Sequence, residues 1–289
     1  MPASNPASES AAEEAPQGRA RILAIAGSDS GGGAGIQADI KTVTALGGFA
    51  TTAITALTVQ NTHGVADILD VPPAFVAAQV SAVLGDIGAD AIKTGMVSQI
   101  AVMEAIAPVL DSYTGKLVVD PVMVASSGDR LLRDDAVSAL KSLLLRRADL
   151  ATPNMPEAEV LTGRRVETLD DMKFAADKIM DGGARAALIK GGHGEDRVLF
   201  DLLAMQTGFE VFEHERLLPP DAAVVGGKHS YHGTGCSLAS AIATGLGQGL
   251  ALTPATNQGI NYIQAAITKT NKKTPIGTGY NKPLDHVVE

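Results

Sequence analysis

Short apolar strands alternate with amphipathic helices over most of this chain, and that alternation constrains its fold more than any other sequence feature. We predict six buried strands, at 21–27, 51–59, 90–95, 116–121, 148–154 and 186–192. Helical spacing occurs at 34–46, 72–86, 99–110, 134–145, 169–180, 235–248 and 254–272, and a hairpin at a sheet edge is predicted from 198–203 and 210–217. Strands joined through helices need crossover connections, so the pattern predicts an α/β fold with a mainly parallel sheet covered on both faces.

Composition narrows the functions open to such a fold. The 289 residues carry a formal net charge of −9 and only 3% aromatic residues, which argues against nucleic-acid binding through phosphate attraction or base stacking. The chain has no apolar run of about eighteen residues, so no membrane-spanning segment is expected. The single cysteine, Cys236, suits a reducing compartment, and we predict a cytoplasmic protein.

The first residues differ in composition from the rest of the chain. Residues 1–18 are rich in Ala, Ser, Pro and Glu and lack apolar periodicity, which predicts a disordered N-terminal tail. The segment has neither the basic start nor the apolar centre of a secretory signal. No linker interrupts the alternation that follows, so residues 19–289 are predicted to form a single domain.

Ligands of parallel sheets usually bind beyond the carboxyl ends of the strands, and several chemically notable residues follow the predicted strands. The sequence HGTGC at 232–236 opens a helix with glycines and small residues, so backbone N–H groups there could bind an anion such as a transferred phosphoryl group. The helix dipole would lower the pKa of the Cys236 thiol. His232 gains interest because it adjoins this turn. The alternative interpretation is a glycine-rich helix start with a small buried cysteine.

Two carboxylates and a lysine give the region the chemistry of a phosphoryl-transfer site. Asn154 and Glu157 stand three residues apart at a helix start, which suits Mg²⁺ held mostly through water but equally describes a capping box. Asp120 and Lys190 each stand at the end of a predicted strand, and phosphoryl transfer requires both an acidic group near a metal and a cation near phosphates.

A glycine loop and an amide complete the candidate site. The segment GSDSGGGAGIQADIK, at 27–41, matches neither GxxxxGK[ST] nor a dinucleotide fingerprint, so a loop covering a substrate and a structural turn are both open interpretations. Gln60 follows a predicted strand, where its amide could bind a ring through paired hydrogen bonds or simply face solvent.

The order of these motifs resembles the hydroxymethylpyrimidine/phosphomethylpyrimidine kinases of thiamine biosynthesis, within the ribokinase-like superfamily. The resemblance runs from about Ile22 to His286 and rests chiefly on AGIQAD, QNT and HGTGC, supported by KTGM, VVDPVM, TPNMPEAE and IKGGH. It implies a three-layer α/β/α fold, a homodimer, and phosphorylation of 4-amino-5-hydroxymethyl-2-methylpyrimidine to the monophosphate and then the diphosphate. The implied cofactors are ATP and Mg²⁺, with a monovalent cation as a further candidate.

The resemblance also implies roles for individual positions. Gln60 would hydrogen-bond the aminopyrimidine, and the other substrate-binding positions are Gly27, Ala34, Asp39, Met96 and Val122. The implied catalytic turn comprises Gly233, Thr234, Gly235 and Cys236, with Cys236 where most ribokinase relatives carry a catalytic Asp. The nucleotide-binding positions are Asp120, Asn154, Lys190 and Gly191, and Glu157 with Asn154 would hold Mg²⁺ mostly through water.

The sequence departs from the family pattern at two places. Ser230 and Tyr231 replace the usual Asp-Thr before HGTGC, and Ile260 stands where the last long helix often carries a lysine that could touch phosphate. The second departure motivates a rival hypothesis, a non-catalytic pyrimidine-binding descendant. Pyridoxal kinase is the other close alternative, because pyridoxal also carries a hydroxymethyl group on a six-membered ring. A dinucleotide-dependent oxidoreductase would rest only on the glycines and the alternation.

Overall fold

The computed structural model describes residues 18–123, 134–192, 197–218 and 230–288. The strands within these ranges are β1 (Arg21–Asp29), β2 (Phe49–Asn61), β3 (Gly64–Asp70), β4 (Ala91–Thr94), β5 (Lys116–Val119), β6 (Leu150–Ala151), β7 (Ala187–Ile189), β8 (Val198–Met205), β9 (Gly208–Glu215), β10 (Ser230–His232) and β11 (Asn281–Pro283). The α-helices are α1 (Gly35–Ala45), α2 (Pro73–Asp86), α3 (Ile100–Ser112), α4 (Asp134–Ala139), α5 (Met155–Thr162), α6 (Leu169–Asp181), α7 (Thr234–Gly247) and α8 (Leu252–Asn271). The tail predicted at 1–18 lies outside the described residues except for Gly18.

One nine-stranded sheet, in the order β3-β2-β1-β4-β5-β6-β7-β8-β9, organises the described part of the chain. The six strands from β2 to β7 in this order pair in parallel. The edge strand β3 pairs antiparallel with β2, and the β8–β9 hairpin pairs antiparallel with β7 at the opposite edge. The predicted mainly parallel sheet and edge hairpin are confirmed.

Two apolar cores, one on each face of the sheet, complete a three-layer α/β/α arrangement. Successive residues of β1 face opposite cores: Ile22 packs with α7 and α8, whereas Leu23 packs with α2 and α3. Helices α1, α7 and α8 cover the first face, and α2 to α6 cover the second. Because buried parallel strands are apolar on both faces, they show little alternation in the sequence.

The β10–β11 pair was not among the predicted elements, and three further local features differ from them. Strand β3 was not predicted, since its exposed GVADILD sequence has no regular apolar alternation. The helix predicted at 134–145 begins as α4, continues as a π-helix over Leu140–Leu144 and ends as a 3₁₀ turn at Leu145–Arg147. Gln60 lies inside β2 and not beyond a strand end.

Within the described ranges, no helix combines the length and apolar character needed to cross a bilayer.

A buried ion pair ties the sheet to the first helical layer. Lys93 on β4 and Asp39 on α1 are both fully buried, and Nζ lies 2.8 and 3.0 Å from the two carboxylate oxygens. The Ser240 hydroxyl of α7 donates to Asp39 Oδ1 at 2.7 Å. A buried charge needs such partners because transfer from water without them is costly.

We predict that Lys93→Met lowers the free energy of unfolding by about 3–5 kcal/mol, because it leaves the Asp39 carboxylate buried without its counter-ion. Urea denaturation measures the change. The matched control is Lys116→Met, which removes the ion pair with Asp149. The Lys116 side chain is 52% exposed and its Nζ lies 3.7 Å from Asp149 Oδ1, so we expect a loss of unfolding free energy below about 1 kcal/mol. Equal losses for the two variants would contradict the structural role given to Lys93.

Candidate active site

The predicted anion-binding turn lies at the N-terminus of α7. Gly233 caps the helix with φ +84°, and a Cβ atom there would collide with the carbonyl oxygen of Gly33. Both facts require glycine. Thr234, Gly235 and Cys236 form the first turn, whose N–H groups have no partner within the helix itself. The local geometry therefore offers backbone donors and a positive dipole end to an anion.

Lys190 and Asp120 border this turn. Asp120 follows β5 and Lys190 follows β7, so two carboxyl ends of the sheet bring them together, with Nζ 2.9 Å from Oδ1. A Cβ atom at Gly235 would lie 3.3 Å from Lys190 Nζ and 3.7 Å from Asp120 Oδ2. Thr152 donates a further hydrogen bond to Asp120 Oδ1 at 2.9 Å. A cation, a carboxylate and the helix N-terminus thus share one small region.

Asn154 and Glu157 form the capping box that was one of two interpretations of their spacing. The Asn154 side chain accepts from the Glu157 amide at 2.9 Å, and the Glu157 carboxylate accepts from the Asn154 amide at 2.8 Å. Burial raises the pKa of Glu157 to about 7, against the opposing effect of Lys190. Glu157 therefore belongs to the same electrostatic group as Lys190 and Asp120.

Gly191 packs against the edge hairpin. Its amide donates to Asp201 Oδ1 at 2.8 Å, and a Cβ atom there would collide with the Phe200 carbonyl group. These contacts give the position a structural need for glycine beside Lys190, and its nucleotide contact stays a prediction.

The glycine loop is held by a carboxylate that sequence analysis did not single out. The buried Asp29 accepts from the amides of Gly31 at 2.7 Å, Gly33 at 3.0 Å and Ala34 at 2.8 Å. Burial alone would raise the pKa of Asp29, but a hydrogen bond from His232 and those from the loop amides outweigh it, so the pKa is lowered. An Asp two residues before a glycine is a common turn signal, which could have identified it.

Three of the predicted substrate-lining residues, Gly27, Ala34 and Met96, lie at or beside this loop. A Cβ atom at Gly27 would collide with the Met96 methyl group, so these two positions are in close contact. Ala34 is the N-cap of α1, directly after the loop, and Val122 follows Asp120 with partial exposure.

Gln60 lies beside the loop and reaches the α7 turn. Its two terminal amide atoms lie 3.0 Å from His232 Nε2 and 3.1 Å from Thr58 Oγ1. His232 Nε2 is also 2.9 Å from Asp29 Oδ2, so this buried histidine links the amide to the loop.

Asp39, predicted as a substrate-binding residue, has its carboxylate behind the site in the ion pair with Lys93. Full burial of both groups gives Asp39 a supporting position, and direct contact with a substrate stays a prediction. Lys93 was missed, although a lysine within the apolar strand DAIKTG signals a buried charge.

The expected effect of the helix dipole on Cys236 is not observed. The thiol is half-buried, and burial raises its pKa to about 11 despite the opposing effects of Lys93 and the Gly35 amide. The expectation of a lowered pKa is therefore wrong, because desolvation disfavours the thiolate more than nearby positive charge stabilises it.

Comparison with known proteins assigns the family. A family model described as phosphomethylpyrimidine kinase matches residues 29–284. The chain belongs to this family. It is 46% identical over 275 residues to the thiamine biosynthesis bifunctional protein ThiED of Geobacter sulfurreducens, covering 95% of this chain but only 54% of that protein. It is 44% identical over 265 residues to the hydroxymethylpyrimidine/phosphomethylpyrimidine kinase of Rhizobium meliloti, covering 91% of this chain and 96% of the relative.

The fold is shared with a related vitamin kinase. The crystal structure of an ADP complex of Bacillus subtilis pyridoxal kinase has a TM-score of 0.82 and 31% identity, with coverage of 94% of this chain and 98% of that one. The predicted ribokinase-like class is thereby confirmed.

Both departures of this chain from its family pattern have a structural setting. Ile260 lies on α8 and is buried in the apolar core that α7 and α8 share, so this position supplies an apolar side chain where the family pattern has a cation. Tyr231 lies in β10, which pairs with β11, and its hydroxyl bonds to Asn271 Oδ1 at 2.6 Å. The altered approach to the turn is therefore anchored to the end of α8.

We predict that alkylation of Cys236 by iodoacetamide accelerates about tenfold per pH unit between pH 7 and 10, because the thiolate fraction of a thiol with a pKa of about 11 grows in that proportion. Mass spectrometry of the modified chain measures the rate. The same chain unfolded in urea is the control, and its rate should level off above about pH 8.5. A plateau in the folded protein below pH 8.5 would contradict the raised pKa.

Proposed function

We propose that the chain transfers phosphoryl groups from ATP to 4-amino-5-hydroxymethyl-2-methylpyrimidine, giving the monophosphate and then the diphosphate. The observation that carries the proposal is the meeting of the α7 turn with Lys190 and Asp120, beside an amide that can bind a ring. We further propose that residues 19–289 act as one kinase domain in the cytoplasm, in line with the single cysteine.

Phosphoryl transfer depends on positioning and charge stabilisation, and each predicted group has a task of that kind. The N–H groups of Thr234, Gly235 and Cys236 would stabilise charge on the transferred phosphoryl group. Lys190 would bind the nucleotide phosphates, with Asp120 holding its ammonium group in place at 2.9 Å. The Gln60 amide would hold the pyrimidine so that its alcohol faces the turn.

The oxygen donors near Lys190 suit a divalent cation bound through water. Asn154 and Glu157 already bond to each other's amides, which leaves each with unused lone pairs and not with a complete ligand shell. No cluster of three or more His, Cys, Asp or Glu side chains within the described ranges could hold a metal. Glu157 and Asn154 would therefore hold Mg²⁺ mostly through water, where the ion would neutralise phosphate charge. A monovalent cation remains a further candidate.

A homodimer is part of the proposal, and the outer β2–β3 face supports it. Leu57 and Leu69 are directly paired across the two strands, and Val59 lies on the same face. These three side chains are 43%, 67% and 62% exposed, and an apolar patch of this kind is typical of an interaction surface.

Pyridoxal kinase is the second candidate, because the shared fold alone does not separate the two substrates. The higher identity to the Rhizobium meliloti enzyme favours the aminopyrimidine.

Mass spectrometry of products formed from ATP, Mg²⁺ and the pyrimidine alcohol tests the function. We expect the monophosphate and then the diphosphate, with slower phosphorylation of pyridoxal under the same conditions. Faster conversion of pyridoxal would favour the second candidate. Tight pyrimidine binding without any product would support the non-catalytic hypothesis that Ile260 motivates, and the monophosphate alone would remove the second step from the proposal.

We predict that Cys236→Ala lowers kcat by about 10²–10⁴-fold if the sulfur accepts the proton of the substrate alcohol. Because burial raises the pKa of this thiol to about 11, wild-type kcat should then increase with pH above neutrality, and the slope should vanish in the variant. Circular dichroism controls for folding. Near-normal turnover by a folded Cys236→Ala protein would refute the role as a base.

A further inference from the structure

Two hydrogen-bond networks meet at the Gln60 amide, and each restricts which end of the amide is the oxygen. The nitrogen and oxygen of a glutamine side chain exchange places when the amide rotates by 180°, so their assignment follows from their partners. One terminal atom lies beside His232, and the other lies beside Thr58.

The His232 side requires an amide oxygen. Asp29 Oδ2 already accepts from the amides of Gly33 and Ala34 when His232 Nε2 approaches it at 2.9 Å. A third group at this oxygen must also be a donor, so Nε2 bears a hydrogen. A protonated Nε2 has no lone pair with which to accept, so an amide N–H beside it would be opposed. The neighbouring Gln60 atom, 3.0 Å from the same nitrogen, is therefore the oxygen, which shares the single Nε2 hydrogen with Asp29 Oδ2.

The Thr58 side leads independently to the same orientation. A threonine hydroxyl carries a single hydrogen, and Thr58 lies 2.9 Å from the Ser28 carbonyl oxygen, which can only accept. With its hydrogen committed to Ser28, the hydroxyl can only accept from the Gln60 atom 3.1 Å away. That atom must be the amide nitrogen.

We propose that Asp29, through His232, acts together with Thr58 to lock the Gln60 amide with its oxygen towards the α7 turn and its nitrogen towards β1. His232 is thereby a positioning residue that sets substrate specificity. The inference rests on the proposed function for the identity of the substrate, whereas the hydrogen on His232 Nε2 is a property of the protein alone.

The locked orientation matches one hydrogen-bonding pattern. One N–H group and one oxygen lone pair of the amide remain after its bonds to Thr58 and His232. In the aminopyrimidine, the 4-amino donor adjoins the 5-hydroxymethyl group, and the acceptor N3 is one position farther away. When the alcohol faces the α7 turn, the donor lies next to the Gln60 oxygen and N3 lies next to its nitrogen.

The inverse pattern should be rejected. The 4-oxo analogue, 5-hydroxymethyl-2-methylpyrimidin-4-one, presents an oxygen beside the hydroxymethyl group and an N3–H donor beyond it. The oxo oxygen would face the Gln60 oxygen, and the N3–H group would face the Gln60 N–H group. Such mismatches at a site built for paired hydrogen bonds are strongly disfavoured.

The kinetic test compares kcat/KM for the amino and 4-oxo substrates. We expect strong preference for the amino form in the wild-type enzyme and a preference reduced by about tenfold or more in His232→Leu, because the released amide can rotate to pair with either pattern. His232→Gln, which retains a terminal N–H donor, should recover much of the preference. His63→Leu is the matched control, since this exposed histidine bonds to Thr278 outside the network.

A double-mutant cycle that combines His232→Leu with Gln60→Ala separates a positioning effect on the amide from a general disruption of the site. His232→Leu should reduce the amino-to-oxo preference only when Gln60 is present. An unchanged preference in folded His232→Leu, or an equal reduction in the Gln60→Ala background, would overturn the proposal.

Nitrogen-15 NMR of the ligand-free protein provides a readout independent of activity. Two-bond ¹H–¹⁵N correlations, assigned against His232→Gln, should show hydrogen on Nε2 of His232, and a non-protonated Nε2 would overturn the proposed orientation. If the wild-type enzyme makes no pyrimidine phosphate while Nε2 is protonated, the proposed function fails and the amide orientation stands.

Discussion

The contact between the glycine loop and the α7 turn is the constraint on which the rest of the site depends. Asp29 gathers three loop amides and the His232 ring around one buried carboxylate, and the two segments approach so closely that neither Gly33 nor Gly233 tolerates a side chain. This contact links the N–H groups at the start of α7 to Gln60 through His232. On the proposed function, the ring and the phosphoryl group would therefore be positioned by the same backbone contact.

A buried ion pair beneath the site is hydrogen-bonded to helix α7. Lys93 and Asp39 neutralise each other inside the protein, and Ser240 connects the pair to α7. Lys93 also opposes the effect of burial on the Cys236 thiol, yet the pKa remains raised. Positive charge near a cysteine does not by itself make a reactive thiolate, because desolvation acts on the same sulfur and here has the larger effect.

Features that depend on local patterns could be predicted from the sequence, whereas contacts between distant segments could not. Buried strands, helix periods and the carboxyl-end rule placed Asp120, Lys190 and the α7 turn on one edge of the sheet. Strand β3 could not be predicted because its residues are exposed and owe their conformation to pairing with β2. The partners of Asp29 and Lys93 lie 203 and 54 residues away, and no spacing rule relates residues so far apart. The Cys236 pKa was mispredicted for the same reason, since burial is a property of the assembled fold.

The close structural likeness to a pyridoxal kinase shows that the sheet and its helices do not determine which alcohol is phosphorylated. Because the fold is shared, discrimination between the two alcohols must come from groups that contact the ring. Gln60 is such a group only if its amide is held in one orientation, because a freely rotating amide accepts either hydrogen-bonding pattern. The residues proposed to hold this amide are His232, which adjoins the α7 turn, and Thr58, which lies on the same strand as Gln60. On this proposal, specificity would follow from hydrogen-bond saturation around one amide, and it would require no change in the sheet, the helices or the residues proposed to bind phosphate.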